Sequence, residues 1–328
     1  MIGMMKQFLP ALEAEINQMD LGQNPIELYE PIRYLMSLGG KRMRPVLSLL
    51  AYSVFKDDWQ VAVRPALSIE IFHNFTLMHD DIMDKAPLRR GKQTVHEKWN
   101  DNIAILSGDV MLVKAYDYLN EAENMSLTDF QYVLKRFNKT AAEVCEGQQF
   151  DMNFENIDRV SIEAYIEMIR LKTSVLVGFS LELGALLAGA SREMASQLHR
   201  IGELVGIGFQ LKDDLLDVYG DPIKFGKQVG GDILANKKTF LFINALERAE
   251  GRQAEDLQFW LNHPNPDPAE KIKAITQLYT HLAIDKQTST EIQTYFDQAF
   301  ELMSNLNISE QGKLSLQNFM AGLVDREV

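Results

Sequence analysis

The sequence predicts an all-α protein, one domain over residues 1–328 built from about a dozen helices in a single large bundle. Three observations predict it. With 328 residues, 46% of them hydrophobic, the chain can bury a large core. Its apolar residues recur at helical spacing, and few segments show the strict alternation of a half-buried strand. Its periodic segments start on capping residues and are joined by short turns, and no linker, low-complexity block or repeat marks a domain boundary.

In chain order, "MIGMMKQFLPALEAEINQ" is interrupted by Pro10 and Glu13 and has no basic stretch leading an apolar one, so it does not read as a signal peptide. The turn "SLGGKRMRP" follows, then a helix closing on "LMHDDIMDKAP", where Ala86 and Pro87 favour an exit. "KAPLRRGKQ" reads as a turn. "MSLTDFQYVLKRFNKTAAEVCEGQQFDMNF" reads as a long helix capped at Ser126, with Asp129 three residues on. "SVLVGFSLELGALLAGA" at 174–190 contains Glu182 and is shorter than the ~20 residues of a membrane span. It is expected to be a buried helix in which Gly178, Gly184 and Gly189 admit close neighbours. A second acidic helix, "FQLKDDLLDVYG", precedes the long turn "YGDPIKFGKQVGGDILANKK". Asp267, Pro268 and Glu270 start another helix, and "ISEQGKLSLQNFMAGLVDREV" is an amphipathic closing one.

The net charge of −13 argues against nucleic acid or anionic lipid as a partner, since phosphate-rich surfaces require a basic face. The single cysteine, Cys145, forbids an internal disulfide and fits a reducing cytoplasm. Among apolar and small neighbours it reads as an inert, packed side chain.

The two acidic stretches repeat one arrangement. On a helix, Asp80 and Asp84 lie about 40° apart, with Asp81 fanned to about 100°. Asp213, Asp214 and Asp217 repeat the geometry. Like charges at this spacing repel, and the partial negative charge of a helix C-terminus aggravates it at the first motif. A solvated acidic face is the plain alternative. Both motifs, however, are flanked by apolar helix, which points to a compensating cation. All-oxygen ligands select Mg²⁺ or Ca²⁺, and the spacing is not that of a Ca²⁺ loop. Mg²⁺ held by one or two carboxylates completes its shell with water and substrate phosphate, so a phosphate ester is the expected ligand. Basic turns supply the counter-charge. They are "GGKRMRP" with Lys41, Arg42 and Arg44, "LRRGK" with Arg89, Arg90 and Lys92, "FGKQ" with Lys227, and "NKKT" with Lys237 and Lys238.

With "GGKRMRP", "HDDIMD", "DDLLD" followed by "GDPIKFGK", and "DILANKKT" in this order, the chain resembles the trans-isoprenyl diphosphate synthases, or polyprenyl synthetases. The resemblance implies a helical bundle around a deep cavity whose mouth holds Mg²⁺, about three ions once substrate is bound. It implies Asp80, Asp84 and Asp213 as metal ligands, with Asp81, Asp214 and Asp217 acting through water or as support. Arg89, Lys172, Lys227 and Lys237 match positions gripping an allylic diphosphate. Lys41, Arg44, His73 and Arg90 match those gripping isopentenyl diphosphate. Thr173 and Gln210 match polar residues near the reacting carbons. A homodimer is implied, with no face assigned.

The implied reaction lengthens an allylic diphosphate by five carbons. Charge on metal and basic residues stabilises the departing diphosphate, and an apolar pocket shields the cation left behind. His73 lies about 20° from Asp80 around its helix, and so faces the same way. Bulk upstream of the first motif sets product length in the family. Phe75, with the small Thr76 beside it and Phe72 further back, suggests fifteen or twenty carbons, and helix geometry does not choose between the two rings. Three rivals stand beside this reading. A terpene cyclase of the same architecture shares one aspartate motif but usually has a mixed second one. A non-catalytic regulatory subunit would not need both acidic motifs and the basic turns. A Mg²⁺-dependent phosphohydrolase would need a water-activating group.

Overall fold

A computed structural model describes residues 2–123, 125–221 and 229–324. It is 77% helical, and the described residues form no sheet beyond one two-stranded hairpin. In chain order come α1 (Ile2–Gln18), α2 (Ile26–Ser37), α3 (Met43–Ser53) and α4 (Val63–Met83). The hairpin β1 (Leu88–Arg89) and β2 (Lys92–Gln93) leads to α5 (Val95–Lys98), α6 (Asp101–Leu119) and α7 (Leu127–Glu155). Then follow α8 (Ile162–Ile169), a π-helical turn (Arg170–Ser174), α9 (Val175–Leu187) and α10 (Arg192–Tyr219). The chain continues through α11 (Gly231–Leu234), α12 (Phe240–Arg248), α13 (Arg252–Asn262), α14 (Pro268–His281), α15 (Ile284–Ser304) and α16 (Glu310–Val324). No helix among the described residues is long and apolar enough to cross a membrane.

The chain divides into two compact units. The first comprises Met1–Lys135, Ser180–Ser196 and Ile308–Leu316. Its core pairs α4 with α6. Leu67, Ile71, Phe72, Phe75 and Met78 on α4 are buried, as are Ala104, Met111 and Ala115 on α6. Gly108 makes room for His79, since a Cβ there would lie 2.2 Å from the imidazole Nε2. The same ring nitrogen meets the Ile105 carbonyl at 3.1 Å.

The second unit comprises Arg136–Phe179, Gln197–Asn307 and Gln317–Val328. Val218, Ile233, Leu241, Leu257, Ile275 and Tyr279, from five helices, form one of its apolar clusters.

The sequence signals for helix starts hold. Asp129 N–H donates to Ser126 Oγ at 3.1 Å, and Glu270 N–H to Asp267 Oδ1 at 3.0 Å. Asn100, Ser161 and Thr239 cap α6, α8 and α12 in the same way.

Three expectations are corrected. Gly178 and Gly184 do admit close neighbours, the His199 and Ser48 carbonyls respectively. Gly189 instead has open space around it and takes φ +81° to end α9. Its N–H donates to Leu186 O, and that of Ala190 to Ala185 O, the bonds of a left-handed helix stop. Cys145 is exposed rather than packed, because it lies on the outer side of α7. Partial desolvation and then Glu146 push its thiol pKa up, so it remains a poor nucleophile. Finally, "LRRGK" forms the hairpin rather than a plain turn. Arg90 and Gly91 both have positive φ, the pair a two-residue type I′ loop requires.

Candidate active site

In the first unit, α4 ends inside the first acidic motif. Asp84 is its C-cap, and Lys85 takes φ 51°. Lys85 N–H donates to Ile82 O at 3.2 Å and Ala86 N–H to Asp81 O at 2.9 Å, after which Pro87 prevents continuation. The motif therefore sits on the negative end of its helix. Arg89 compensates one carboxylate directly. Its Nε and one terminal nitrogen donate to the two oxygens of Asp81 at 2.8 and 2.7 Å. The same terminal nitrogen lies 3.9 Å from Asp80. Asp81 is buried, and burial raises its pKa against the pull of Arg89. Asp80 is half-buried and Asp84 exposed.

Beside this motif Arg44, Arg89 and Arg90 lie close enough to His73 to act on its charge. A Cβ on Gly40 would come within 3.0 Å of the Arg90 guanidinium, so the bare backbone of "GGKRMRP" lets the two turns meet. His73 is pushed well below its ordinary pKa by burial, then by Arg44, Arg89, Arg90 and Arg42, and is therefore neutral at pH 7. Arg44 Nε is buried without a hydrogen-bond partner. Lys41 is exposed on the same turn.

Arg42, read as one of the phosphate-facing cations, is not available for that role. It is buried, with left-handed backbone, and donates to Glu70 at 2.8 Å, Glu13 at 3.0 Å and Met36 O at 3.0 Å. Its left-handed backbone at the start of α3 turns this side chain into the core, where the carboxylates hold it. Phe72 and Phe75 are both buried, 5.6 Å apart, and Phe75 also packs on His79; Thr76 is half-buried.

In the second unit, the π-helical turn carries Lys172 and Thr173. Lys172 Nζ donates to Asp151 of α7 at 2.6 Å, and Lys237 Nζ lies 3.9 Å from the same oxygen. Burial raises the Asp151 pKa, but Lys237 and Lys172 outweigh it and leave it below the ordinary range. Thr173 Oγ1 donates to Gln210 Oε1 at 3.3 Å, and Gln210 Nε2 donates to Asp214 Oδ1 at 3.2 Å. Asp214 is buried, and its second oxygen accepts from the Tyr165 hydroxyl. Burial and then Asp232 raise its pKa to about 7, against the pull of Tyr165, Lys237 and Gln210. Asp217 Oδ2 accepts from Asp232 N–H at 3.0 Å, and its backbone oxygen accepts from Gly230 N–H. Asp213 is half-buried. Lys227 lies outside the described residues.

Both motifs thus divide alike: the second aspartate is buried and bonded to protein donors, while the first is nearer the surface. Among the described residues no three His, Cys, Asp or Glu side chains form a ready cluster for a metal. The donor set is still all carboxylate oxygen, which suits a hard cation completed by ligand phosphate. Tyr165, Asp151 and Asp232 escaped the sequence reading. A lone Asp in a long helix and a Tyr in an apolar stripe carry no motif.

The chain is similar to known proteins in sequence and in fold. A family model described as polyprenyl synthetase matches residues 25–279. Geranylgeranyl diphosphate synthase of Methanosarcina mazei is 41% identical over 237 residues, 72% of this chain and 73% of that one. A crystal structure of a geranylgeranyl pyrophosphate synthase is 39% identical with a TM-score of 0.90, over 99% of this chain and 98% of the other. A geranylgeranyl pyrophosphate synthase from Corynebacterium glutamicum, complexed with isoprenyl diphosphate and magnesium, is 26% identical with a TM-score of 0.82, over 98% of this chain and 97% of that one. By motif, fold and family match alike, the chain belongs to the polyprenyl synthetase family.

Proposed function

We propose that this prenyltransferase condenses isopentenyl diphosphate with an allylic diphosphate, using Mg²⁺, to make a short all-trans product of fifteen or twenty carbons. One observation carries the reading most directly. In both acidic motifs protein donors engage the buried second aspartate, Asp81 by Arg89 and Asp214 by Tyr165 and Gln210. The family resemblance assigns Asp80, Asp84 and Asp213 to Mg²⁺, about three ions with substrate bound. The metal supplies Lewis-acid stabilisation of the leaving diphosphate.

The residues of the chain do the rest. Arg89, Lys172, Lys237 and Lys227 bind the allylic diphosphate. Lys172 and Lys237 exchange Asp151 for phosphate oxygens as the anion arrives. Lys41, Arg44, His73 and Arg90 bind isopentenyl diphosphate, and the unpartnered Nε of Arg44 supports that assignment. His73 kept neutral donates one hydrogen bond without adding charge. Thr173 and Gln210 place polar atoms beside the developing cation, and Phe72 and Phe75 bound the chain. The departed diphosphate takes the final proton.

The chain acts as one domain in the cytoplasm, as a homodimer. The exposed face of α6 supports the pairing: Ile105, Leu106 and Val113 are 43, 57 and 60% exposed on a helix whose other side packs on α4. The decisive experiment incubates the protein with Mg²⁺ and each allylic starter, with and without isopentenyl diphosphate, and weighs the products. A prenyl diphosphate five carbons longer is expected only when both substrates are present. Hydrocarbon or alcohol from the allylic substrate alone would make the chain a cyclase instead.

A further inference from the structure

The π-helical turn at Arg170–Ser174 is seated between bare backbones. On one side is α7, where a Cβ on Gly147 would lie 2.2 Å from the Lys172 nitrogen. On the other is α10, where a Cβ on Gly206 would lie 2.7 Å from the Ser174 Cα. One turn earlier on α10, a Cβ on Gly202 would lie 2.6 Å from the Gly178 Cα. Small residues on both sides let the wide turn sit deep but give it no side-chain grip. Side chains of the turn itself supply grip: Lys172 pairs with Asp151 of α7, Thr173 bonds Gln210 of α10, and the first residue, Arg170, adds a partly buried ion pair. Arg170 donates through Nε and one terminal nitrogen to Glu167 at 2.7 Å each, and through the other to Glu203 of α10 at 2.8 Å. Glu203 is buried and also accepts from Arg200 at 3.2 Å, with His199 at 3.8 Å. Arg136 in turn reaches His199.

Glu203 and Gln210 are seven residues apart on α10, hence on one face about 20° apart. Arg170 and Thr173 begin and nearly end the turn. The Arg170–Glu203 pair and the Thr173–Gln210 bond therefore form two rungs between the same two elements. From these rungs we infer that Arg170 and Glu203 are positioning residues. They set the register of the turn on α10, and through it the aim of Lys172 and Thr173. Neither belongs to the acidic motifs: Glu203 lies about three turns of α10 before Asp213. This inference rests on the roles proposed above for Lys172 and Thr173.

The test uses the full chain and the variants Glu203→Gln, Arg170→Gln and the double variant, with steady-state kinetics in each substrate. Both single variants should lower kcat about tenfold. A misplaced catalytic group loses rate even when it stays bound to its scaffold. The KM for isopentenyl diphosphate should stay within about twofold, because its proposed ligands lie on other elements. The double variant should be no slower than either single one, as coupled groups require. Glu203→Asp should recover part of the rate. Should the Gln variants not fold, Glu203→Asp and Arg170→Lys are read for the same split. Wild-type kcat in these variants, losses that multiply in the double variant, or equal damage to both substrates would overturn the inference. A wild-type chain without prenyl transfer would instead overturn the function it rests on.

Discussion

Replacing Tyr165 by Phe removes one hydroxyl beside the second acidic motif. That hydroxyl donates to Asp214, whose other oxygen accepts from Gln210 Nε2 at 3.2 Å. Tyr165 and Asp214 are both buried, so no solvent replaces the lost donor. An unsatisfied buried acceptor costs about 1–3 kcal/mol, with the upper end for a charged one. The cost depends on pH. The pKa of Asp214 stands at about 7 in the folded, metal-free chain, above its ordinary value of 3.8. An acid raised on folding binds its proton more tightly in the native state. Its contribution to stability is therefore most favourable below its unfolded pKa and declines as pH rises from about 4 to about 7. Tyr165 opposes that decline by holding the carboxylate. In Tyr165→Phe the native pKa rises further, and the decline runs on past pH 7. The stability difference between wild type and variant should thus be small near pH 5 and grow to about 2 kcal/mol by pH 8. Urea unfolding of the metal-free protein at both pH values measures it. A difference that is the same at pH 5 and pH 8, or below about 0.5 kcal/mol throughout, would refute the assignment of Tyr165 as the donor that keeps Asp214 in place.

Arg42→Met leaves Glu70 buried with Asn74 as a donor but without its ion-pair partner, and unfolding should become easier by about 3–5 kcal/mol in a denaturant titration. In whatever fraction still folds, KM for isopentenyl diphosphate should be unchanged. Gly147→Ala forces a Cβ to within 2.2 Å of the Lys172 nitrogen. Initial rates should show a large fall in kcat, and an unchanged kcat would mean that the turn has slack the packing does not show. Phe72→Ala or Phe75→Ala removes a buried ring at a stability cost of about 3–5 kcal/mol. Product mass should increase in at least one, and equal product length in both would remove these rings as the limit on chain growth. Leu106→Glu on the exposed face of α6 should shift the sedimentation coefficient towards that of a monomer, and an unshifted value would place the dimer contact elsewhere.

Elements governed by local chemistry could be read from the sequence. Ser126 and Asp267 announce their helices because a cap must satisfy backbone N–H groups within a few residues of itself. The exit at Asp84 was visible in Ala86 and Pro87, although a left-handed Lys85, not a glycine, makes the turn. The two aspartate triplets were visible because they break a local rule twice. What stayed hidden depends on distant partners. Arg42 looks like its neighbours Lys41 and Arg44 until Glu70, on another helix, takes it inward. Tyr165 meets Asp214 across 49 positions, and Asp151 meets Lys172 across 21, and neither spacing has a period. Gly178, Gly184 and Gly189 share a composition but not a role, because backbone conformation and neighbours decide between close approach and helix stop.

The proposed chemistry requires both acidic motifs to serve one diphosphate through Mg²⁺. Prenyl transfer by Asp80→Asn, by Asp213→Asn and by the double variant, at saturating Mg²⁺ and both substrates, tests it most directly. Each single variant should lose at least about a hundredfold in kcat, with the double variant little worse, since groups that act as a unit are strongly non-additive. Wild-type turnover in either single variant would contradict it.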